Sequence, residues 1–412
     1  MGLQRPTVLQ IIPELDTGGA ELSAIEIAAA VTRGGGRAIV LSEGGRMADR
    51  VAAAGGELVV FPAATKNPLK LAVNAVAIER IARKEAVDLI HARSRAPAWS
   101  ALVAARRAKL PFVTTYHGIY NEKGRAKKLY NSVMARGDFV IANSRYTADI
   151  IKKRYATPEA HIRVVYRGVD LDAFDPAKVA VARIENLRHL WGVHDKQRVI
   201  LHAARLTRWK GQTDVIAAAA RVRDRARDCV FILAGDAQGR DDYRDTVMKQ
   251  IADAGVADIV RLVGHVDDMP AAFAAAHTAI VASIEPEAFG RAAAEAQAMG
   301  CPVISTNIGA PPETVLAPPR VSPEARTGWL VPPGDLQAYE IALMEALSLD
   351  EMQRTTIGRR AREHVSNAFS TFEMQRTTLA VYDSLLKTRM EQQFLKAAYP
   401  ASKHDGAAAK NM

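Results

Sequence analysis

Ile284–Thr306 reads IEPEAFGRAAAEAQAMGCPVIST, and its reading decides the fold. Two carboxylates, Glu287 and Glu295, stand with seven residues between them, Phe289 and Gly290 fall in that interval, and an apolar helix-like run follows (Ala292, Ala293, Ala294, Ala298, Met299). A strand-like run, Thr278 to Ala282, precedes it, and Cys301-Pro302-Val303-Ile304 resumes a strand after Gly300. The pattern predicts strand, turn, helix, strand. Such a turn sits at a helix N-terminus, where unsatisfied N–H groups and the helix dipole favour an anionic ligand. Gly290 lets backbone approach that ligand, Glu295 further along the helix is placed to reach its hydroxyl groups, and Glu287 faces whatever lies before the turn.

The same alternation extends in both directions. Strands are expected at Val199–Ala203, Val230–Ala234, Ile259–Val263, Thr278–Ala282, Val303–Ser305 and Trp329–Val331, and the first of them runs into Arg205-Leu206-Thr207-Arg208-Trp209-Lys210-Gly211. Arg205 and Lys210 therefore bracket a helix start and add two permanent charges to a site suited to phosphate. Gly264 ends a further strand. Toward the N-terminus, Val8–Ile12 leads into Gly18-Gly19 and a patterned helix, and strands follow at Ala38–Leu41, Leu58–Phe61, Leu89–Ala92, Phe112–Tyr116 and Phe139–Ala142. The glycine turn is neither a dinucleotide fingerprint nor a P-loop, because G-x-G-x-x-G and Gly-Lys-Ser/Thr are both missing there. Two strand ends carry chemistry: His117-Gly118, and His91-Ala92-Arg93-Ser94-Arg95.

Repeated βαβ units imply parallel sheets covered on both faces, with ligands at the carboxyl ends of the strands. At 412 residues two domains are expected. The alternation breaks between Val164 and Lys196, which places the division at 190/191. The expected domains are thus 1–190 and 191–369, with a helix at about 370–388 returning to the first and a disordered tail over 390–412. Asp170 and Asp172 form a D-x-D pattern in the connection, away from any sheet strand end, and no metal site is assigned to them.

Residues 1–190 carry 29 Lys/Arg against 18 Asp/Glu, so the first half holds essentially the whole net charge of +10. The charge is densest over Lys123, Arg125, Lys127, Lys128 and Arg136, and again over Lys152, Lys153 and Arg154. No nucleic-acid motif accompanies it; an anionic membrane surface, contacted with help from Leu129, Tyr130 and Met134, fits the sign better. No signal peptide and no membrane-spanning run is read, and Cys229 and Cys301 are expected to be reduced core residues. A cytoplasmic protein, peripheral on the inner membrane face, is the expectation.

Two doubly wound halves with these motifs resemble the retaining glycosyltransferases of family four, whose fold is called GT-B: two Rossmann-like domains facing across a cleft. The residues that carry the resemblance are Gly18-Gly19-Ala20-Glu21, His117-Gly118, Arg205 with Lys210-Gly211, Gly264, and the pair Glu287 and Glu295. TKNPL (65–69), HARSRAPAWS (91–100), TTYHGIYN (114–121), YNSVMARGD (130–138) and RGVD (167–170) look like the lipopolysaccharide core mannosyltransferase branch. Arg167 departs from the family's usual Asn, so that contact is not carried over. The resemblance implies that Glu295 holds the nucleotide's ribose, and that Glu287 and His117 touch the donor sugar. Arg205 and Lys210 would neutralise the diphosphate, with backbone at Gly18, Gly19, Gly264, Phe289 and Gly290 completing the site.

Implied with them are a GDP-mannose or UDP-sugar donor, an anionic glycolipid acceptor, and no required cofactor or metal. Alternatives are a soluble or exopolysaccharide acceptor, an epimerase or hydrolase of the same fold, or a non-catalytic nucleotide-sugar binder. The epimerase would need a second poised carboxylate that the sequence does not offer, and the binder would not need the full set of Arg205, Lys210, Glu287 and Glu295.

Overall fold

The computed structural model describes residues 5–399 except Thr17, Asn121 and Lys123. Its chain divides into two compact units, one made of Met1–Asn143, Thr147–Val165 and Phe372–Met412, the other of Ser144–Tyr146 and Tyr166–Thr371.

In the first unit, strands β1 (Thr7–Ile11), β2 (Arg37–Ser42), β3 (Glu57–Val60), β4 (Leu89–Ala92), β5 (Phe112–Tyr116), β6 (Phe139–Ala142) and β7 (Ile162–Val164) pair in the order β3-β2-β1-β4-β5-β6-β7. Every pairing is parallel. Between them run α1 (Gly19–Arg33), α2 (Asp49–Ala53), α3 (Pro68–Lys84), α4 (Arg95–Ala108), α5 (Arg125–Ser132) and α6 (Arg145–Tyr155). Because side chains alternate across a strand, Leu9 and Ile11 enter one core and Val8 and Ile12 the other.

The second unit begins with α7 (Val181–Leu190) and builds β8 (Arg198–Ala203), β9 (Cys229–Ala234), β10 (Val260–Gly264), β11 (Ala276–Val281), β12 (Val303–Thr306) and β13 (Gly328–Val331), ordered β10-β9-β8-β11-β12-β13 and again all parallel. Its further helices are α8 (Gln212–Val222), α9 (Asp241–Asp253), α10 (Met269–Ala275), α11 (Arg291–Ala298), α12 (Pro311–Thr314), α13 (Leu336–Ser348) and α14 (Glu351–Ala368). Both sheets reverse direction of growth beside their first strand, between β1 and β4 and between β8 and β11. Ligands of such sheets bind at the carboxyl ends flanking that reversal.

Two expectations need correction. The division falls at Val165/Tyr166 rather than 190/191, because Phe174, Leu187 and Trp191 bury themselves in the second unit's core with Phe273. The stretch from 390 does not begin as a disordered tail. After α15 (Thr371–Leu386), helix α16 (Met390–Ala398) packs on the first unit. Met390 and Phe394 are buried there, Phe394 stacks on Phe372 at 5.2 Å, and Asp383 accepts from the amides of Met390 and Glu391, each at 2.9 Å. Residues 400–412 lie outside the described residues, as does Lys123.

Candidate functional site

At the reversal between β8 and β11 the second unit carries Arg205, Lys210 and Glu287. Beyond β8 the chain turns through a short 3-10 stretch, Arg208–Lys210, to Gly211, whose φ of 73° opens α8. A Cβ at Gly211 would lie 1.9 Å from the carbonyl of Ala282, at the end of β11, so only glycine lets the two strand ends approach this closely. Ile284 N–H donates to the Trp209 carbonyl at 2.8 Å and closes the contact. Gln212, fully buried, donates to the Arg205 carbonyl at 2.9 Å and accepts from Tyr243 at 3.0 Å, which fixes the backbone under Arg205.

That clamp delivers Lys210 to Glu287. Lys210 Nζ donates to Glu287 Oε1 at 2.6 Å, with side chains only 15% and 10% exposed. Ser283 Oγ donates to the same carboxylate oxygen, and the ammonium also lies 4.3 Å from the Trp209 ring centroid. The turn bearing Glu287 is held from its other side. Ala310 N–H donates to the Glu287 carbonyl at 2.9 Å. A Cβ on Gly309, whose φ is 82°, would come within 2.5 Å of Glu287 backbone. Arg205 stands on the same loop with its side chain exposed, and no side-chain partner is seen for it among the described residues.

Gly290 caps α11 with φ 84° and no side chain caps that helix, so its N-terminal end presents backbone. Phe289 turns its ring into the core, 3% exposed and 5.7 Å from the ring of Phe369, leaving only its backbone for a ligand. Glu295 is buried on α11 and accepts from Arg291 Nε at 2.5 Å. Burial pushes its carboxyl above the ordinary range, and Arg291 opposes that rise. Gly264, with φ 75°, ends β10, two strands from β8, and faces open space where a Cβ would be.

In the first unit, Gly18 and Gly19 form the turn into α1, and His117, half-buried, follows β5, its carbonyl accepting from Asn143 Nδ2 at 3.2 Å. The other loaded strand end is turned inward. His91 bonds Tyr382 Oη at 2.6 Å and Thr115 Oγ1 at 2.7 Å, and Arg93 donates to Gln10 at 2.5 Å, all buried. The D-x-D pair is engaged as well: Asp170 caps a turn by accepting from the amides of Asp172 and Ala173, and Asp172 pairs with Lys178 at 2.9 Å. Among the described residues no group of three His, Cys, Asp or Glu side chains could hold a metal.

Sequence reading missed Ser283, Gly309 and His202. Ser283 was visible as a hydroxyl four residues before Glu287, whereas Gly309 gains meaning only from the tertiary contact. His202 lies within β8, its Nδ1 2.9 Å from the Ile280 carbonyl, and burial drives its pKa down to about 4, with Lys210 lowering it and Glu287 raising it. A carbonyl only accepts, so Nδ1 carries a proton, and the depressed pKa leaves the ring neutral near pH 7.

Residues 17–173 match the model described as Glycosyltransferase Family 4, and residues 184–364 match Glycosyl transferases group 1. A crystal structure of a glycosyltransferase from Rickettsia africae ESF-5 is 33% identical, with TM-score 0.85 over 93% of this chain and 100% of that one. Anabaena HepE, solved in complex with UDP and glucose, is 26% identical, with TM-score 0.78 over 92% of this chain and 100% of that one. The D-inositol 3-phosphate glycosyltransferase of Salinispora arenicola is 29% identical over 68% of this chain, which spans 65% of that protein's length.

Proposed function

The chain belongs to the glycosyltransferases with a family 4 N-terminal half and a group 1 C-terminal half, and on that premise we propose that it transfers a hexose from a nucleotide-diphosphate sugar with retention. The observation that carries this reading is the Lys210–Glu287 pair clamped at the β8/β11 reversal beside the exposed guanidinium of Arg205. The bond from sugar C1 to the diphosphate breaks, so negative charge grows on the departing oxygen. Arg205 and Lys210 supply fixed positive charge to it, and the backbone at the start of α11 adds N–H dipoles. Once Lys210 turns to phosphate, Glu287 is released toward sugar hydroxyls, while Glu295 is assigned to the ribose. The acceptor oxygen bonds C1 on the same face and its proton passes to the departing phosphate oxygen, so no protein nucleophile is required. In the second unit Gly264 and the Phe289–Gly290 backbone complete the set, and Gly18, Gly19 and His117 of the first unit are proposed as substrate-touching residues by resemblance.

Mannose from GDP-mannose, or a sugar from a UDP donor, is the proposed transferred group. A lipopolysaccharide core or similar anionic glycolipid at the cytoplasmic membrane face is the proposed acceptor, which suits the excess cations of the first half. A soluble phosphorylated acceptor is the second reading, favoured by what the curated relatives are named for. A thermal-shift panel of nucleotide sugars, all at one concentration, tests the donor: one present at about a hundred times its Kd stabilises by about 2.7 kcal/mol, and weaker binders by less. Turnover of that donor with the two acceptor classes, and the anomeric configuration of the product by NMR, then decide acceptor and stereochemistry. No shift with any nucleotide sugar would overturn the reading.

A further inference from the structure

The apolar partner expected for the basic segment around α5 is not there. Arg125, Lys127 and Lys128 are exposed on that helix, but of the three apolar residues only Leu129 is exposed; Tyr130 is half-buried and Met134 fully buried.

An exposed apolar stripe lies instead on α3. Asn74, Ala75, Ile78 and Ala82 are the helix's buried residues. Asn74 Nδ2 donates to the Pro62 carbonyl at 2.8 Å, and Ser100 Oγ from α4 donates to the Leu71 carbonyl at 2.8 Å, which sets the helix's rotation. Leu69, Val73 and Val76 then stand 79%, 68% and 43% exposed at i, i+4 and i+7, one above the other on the outward side. Edge strand β3 ends in Val60, 77% exposed. Lys66, Lys70, Arg80, Arg83 and Lys84 are all exposed on or just before this helix. The acids nearby are already taken: Glu79 by Arg83 at 3.1 Å and Arg107 at 2.6 Å, Glu85 by Arg37 at 2.9 Å.

We propose that the outward face of α3 is a docking surface for an anionic lipid layer, with Leu69, Val73 and Val76 entering the apolar boundary and Lys66, Lys70 and Arg80 meeting the headgroups. An apolar stripe bordered by cations is the pattern of a helix lying in a membrane interface. A second copy of the chain fits the face worse, since a two-fold contact would bring the cations Lys70 and Arg80 of one copy up to those of the other. The proposal rests on the membrane contact suggested above and moves it from α5 to α3.

Co-sedimentation of the full chain with vesicles of phosphatidylcholine, alone or mixed with phosphatidylglycerol, tests it. The chain is expected to bind the mixed vesicles only. Leu69→Glu with Val73→Glu should weaken that binding by more than about tenfold, the scale of losing buried Leu and Val side chains. Lys127→Gln with Lys128→Gln should leave it within about twofold, because the proposal gives these two side chains no headgroup to meet. Unchanged melting temperatures would show that both variants fold. Equal binding to both vesicle types, binding to neither, or loss confined to the α5 variant would overturn the proposal. So would a concentration-dependent dimer in sedimentation velocity that only the α3 variant dissolves. Donor-induced thermal shift and turnover on a water-soluble acceptor, measured on the same variants, separate failure of docking from failure of the glycosyltransferase reading.

Discussion

The two units end their sheets in different ways. Around β8 and β11 the strand ends are pinned by backbone, through Gly211 against Ala282 and Gly309 against Glu287. There Arg205 stays exposed while Lys210 and Glu287 pair with each other, and these are the side chains proposed for ligand chemistry. Around β4 and β5 the polar side chains are themselves the fasteners. His91 and Thr115, with Tyr382 from α15, form one chain of buried hydrogen bonds, and Arg93 is anchored to Gln10. We therefore assign charge at a strand end to chemistry where glycine carries the packing, and to attachment of a returning helix where it does not.

The largest expected effects test that division directly. Lys210→Ala and Arg205→Ala should each lower kcat by about a hundredfold to a thousandfold, the scale of removing one preorganised group from a developing negative charge. They differ in stability. Arg205 is exposed and its loss should leave the melting temperature unchanged, whereas Lys210→Ala strands Glu287, 10% exposed, with Ser283 alone, and should destabilise by on the order of 3 kcal/mol. Normal kcat at saturating donor in either variant would remove that residue from the mechanism.

Next in size is a pH effect at the floor of the same site. His202 titrates near 4 in the folded chain and near 6.5 unfolded, so below 6.5 the unfolded state binds the extra proton. Its contribution, about 3 kcal/mol from the shift, is fully present above pH 6.5 and lost as pH falls through 4. His91 in the first unit is depressed in the same direction by burial. Melting curves from pH 7 to 4 should therefore fall steeply, less so for His202→Phe. An identical slope in that variant would show that His202 is not the titrating group.

Tyr382→Phe sharpens the comparison from the other side. It removes the partner of His91 Nδ1 in a fully buried setting and should cost about 1–3 kcal/mol, as for other buried groups left unsatisfied. Denaturant unfolding would record the loss, while kcat stays as in the parent. A fall in kcat without loss of stability would instead make this network part of the chemistry.

The alternation, the parallel sheets and the loops holding Arg205, Lys210 and Glu287 were legible because βαβ units write their period into apolar runs, and because glycine next to charge at a strand end is conspicuous. The division at 165/166 was not. It depends on Phe174, Leu187 and Trp191 choosing the second core, a tertiary decision that local pattern does not encode. Helix α16 was missed because it is only nine residues long, too short for even an amphipathic pattern to stand out, and Asp383 organises its start from seven and eight residues upstream. Within the site, the meeting of Lys210 with Glu287 was unreadable, since the two are 77 residues apart and joined by a glycine contact that exists only in three dimensions.

The smallest expected effect concerns the D-x-D pattern, which looks in sequence like a metal site and in structure like a piece of the connection. Asp170 spends its carboxylate on the amides of Asp172 and Ala173, and Asp172 is paired with Lys178 at the surface, where the ammonium holds its pKa below the usual value. A pair committed to turn and surface contacts contributes little that a ligand would feel, because exposed ion pairs are screened and weak. Asp170→Asn with Asp172→Asn should therefore leave both kcat and the KM for donor at parental values, and turnover should persist in a chelator. Loss of activity with the chelator that magnesium or manganese restores, absent in the double variant, would bring these two residues into the donor site and break the division drawn between engaged and available charge.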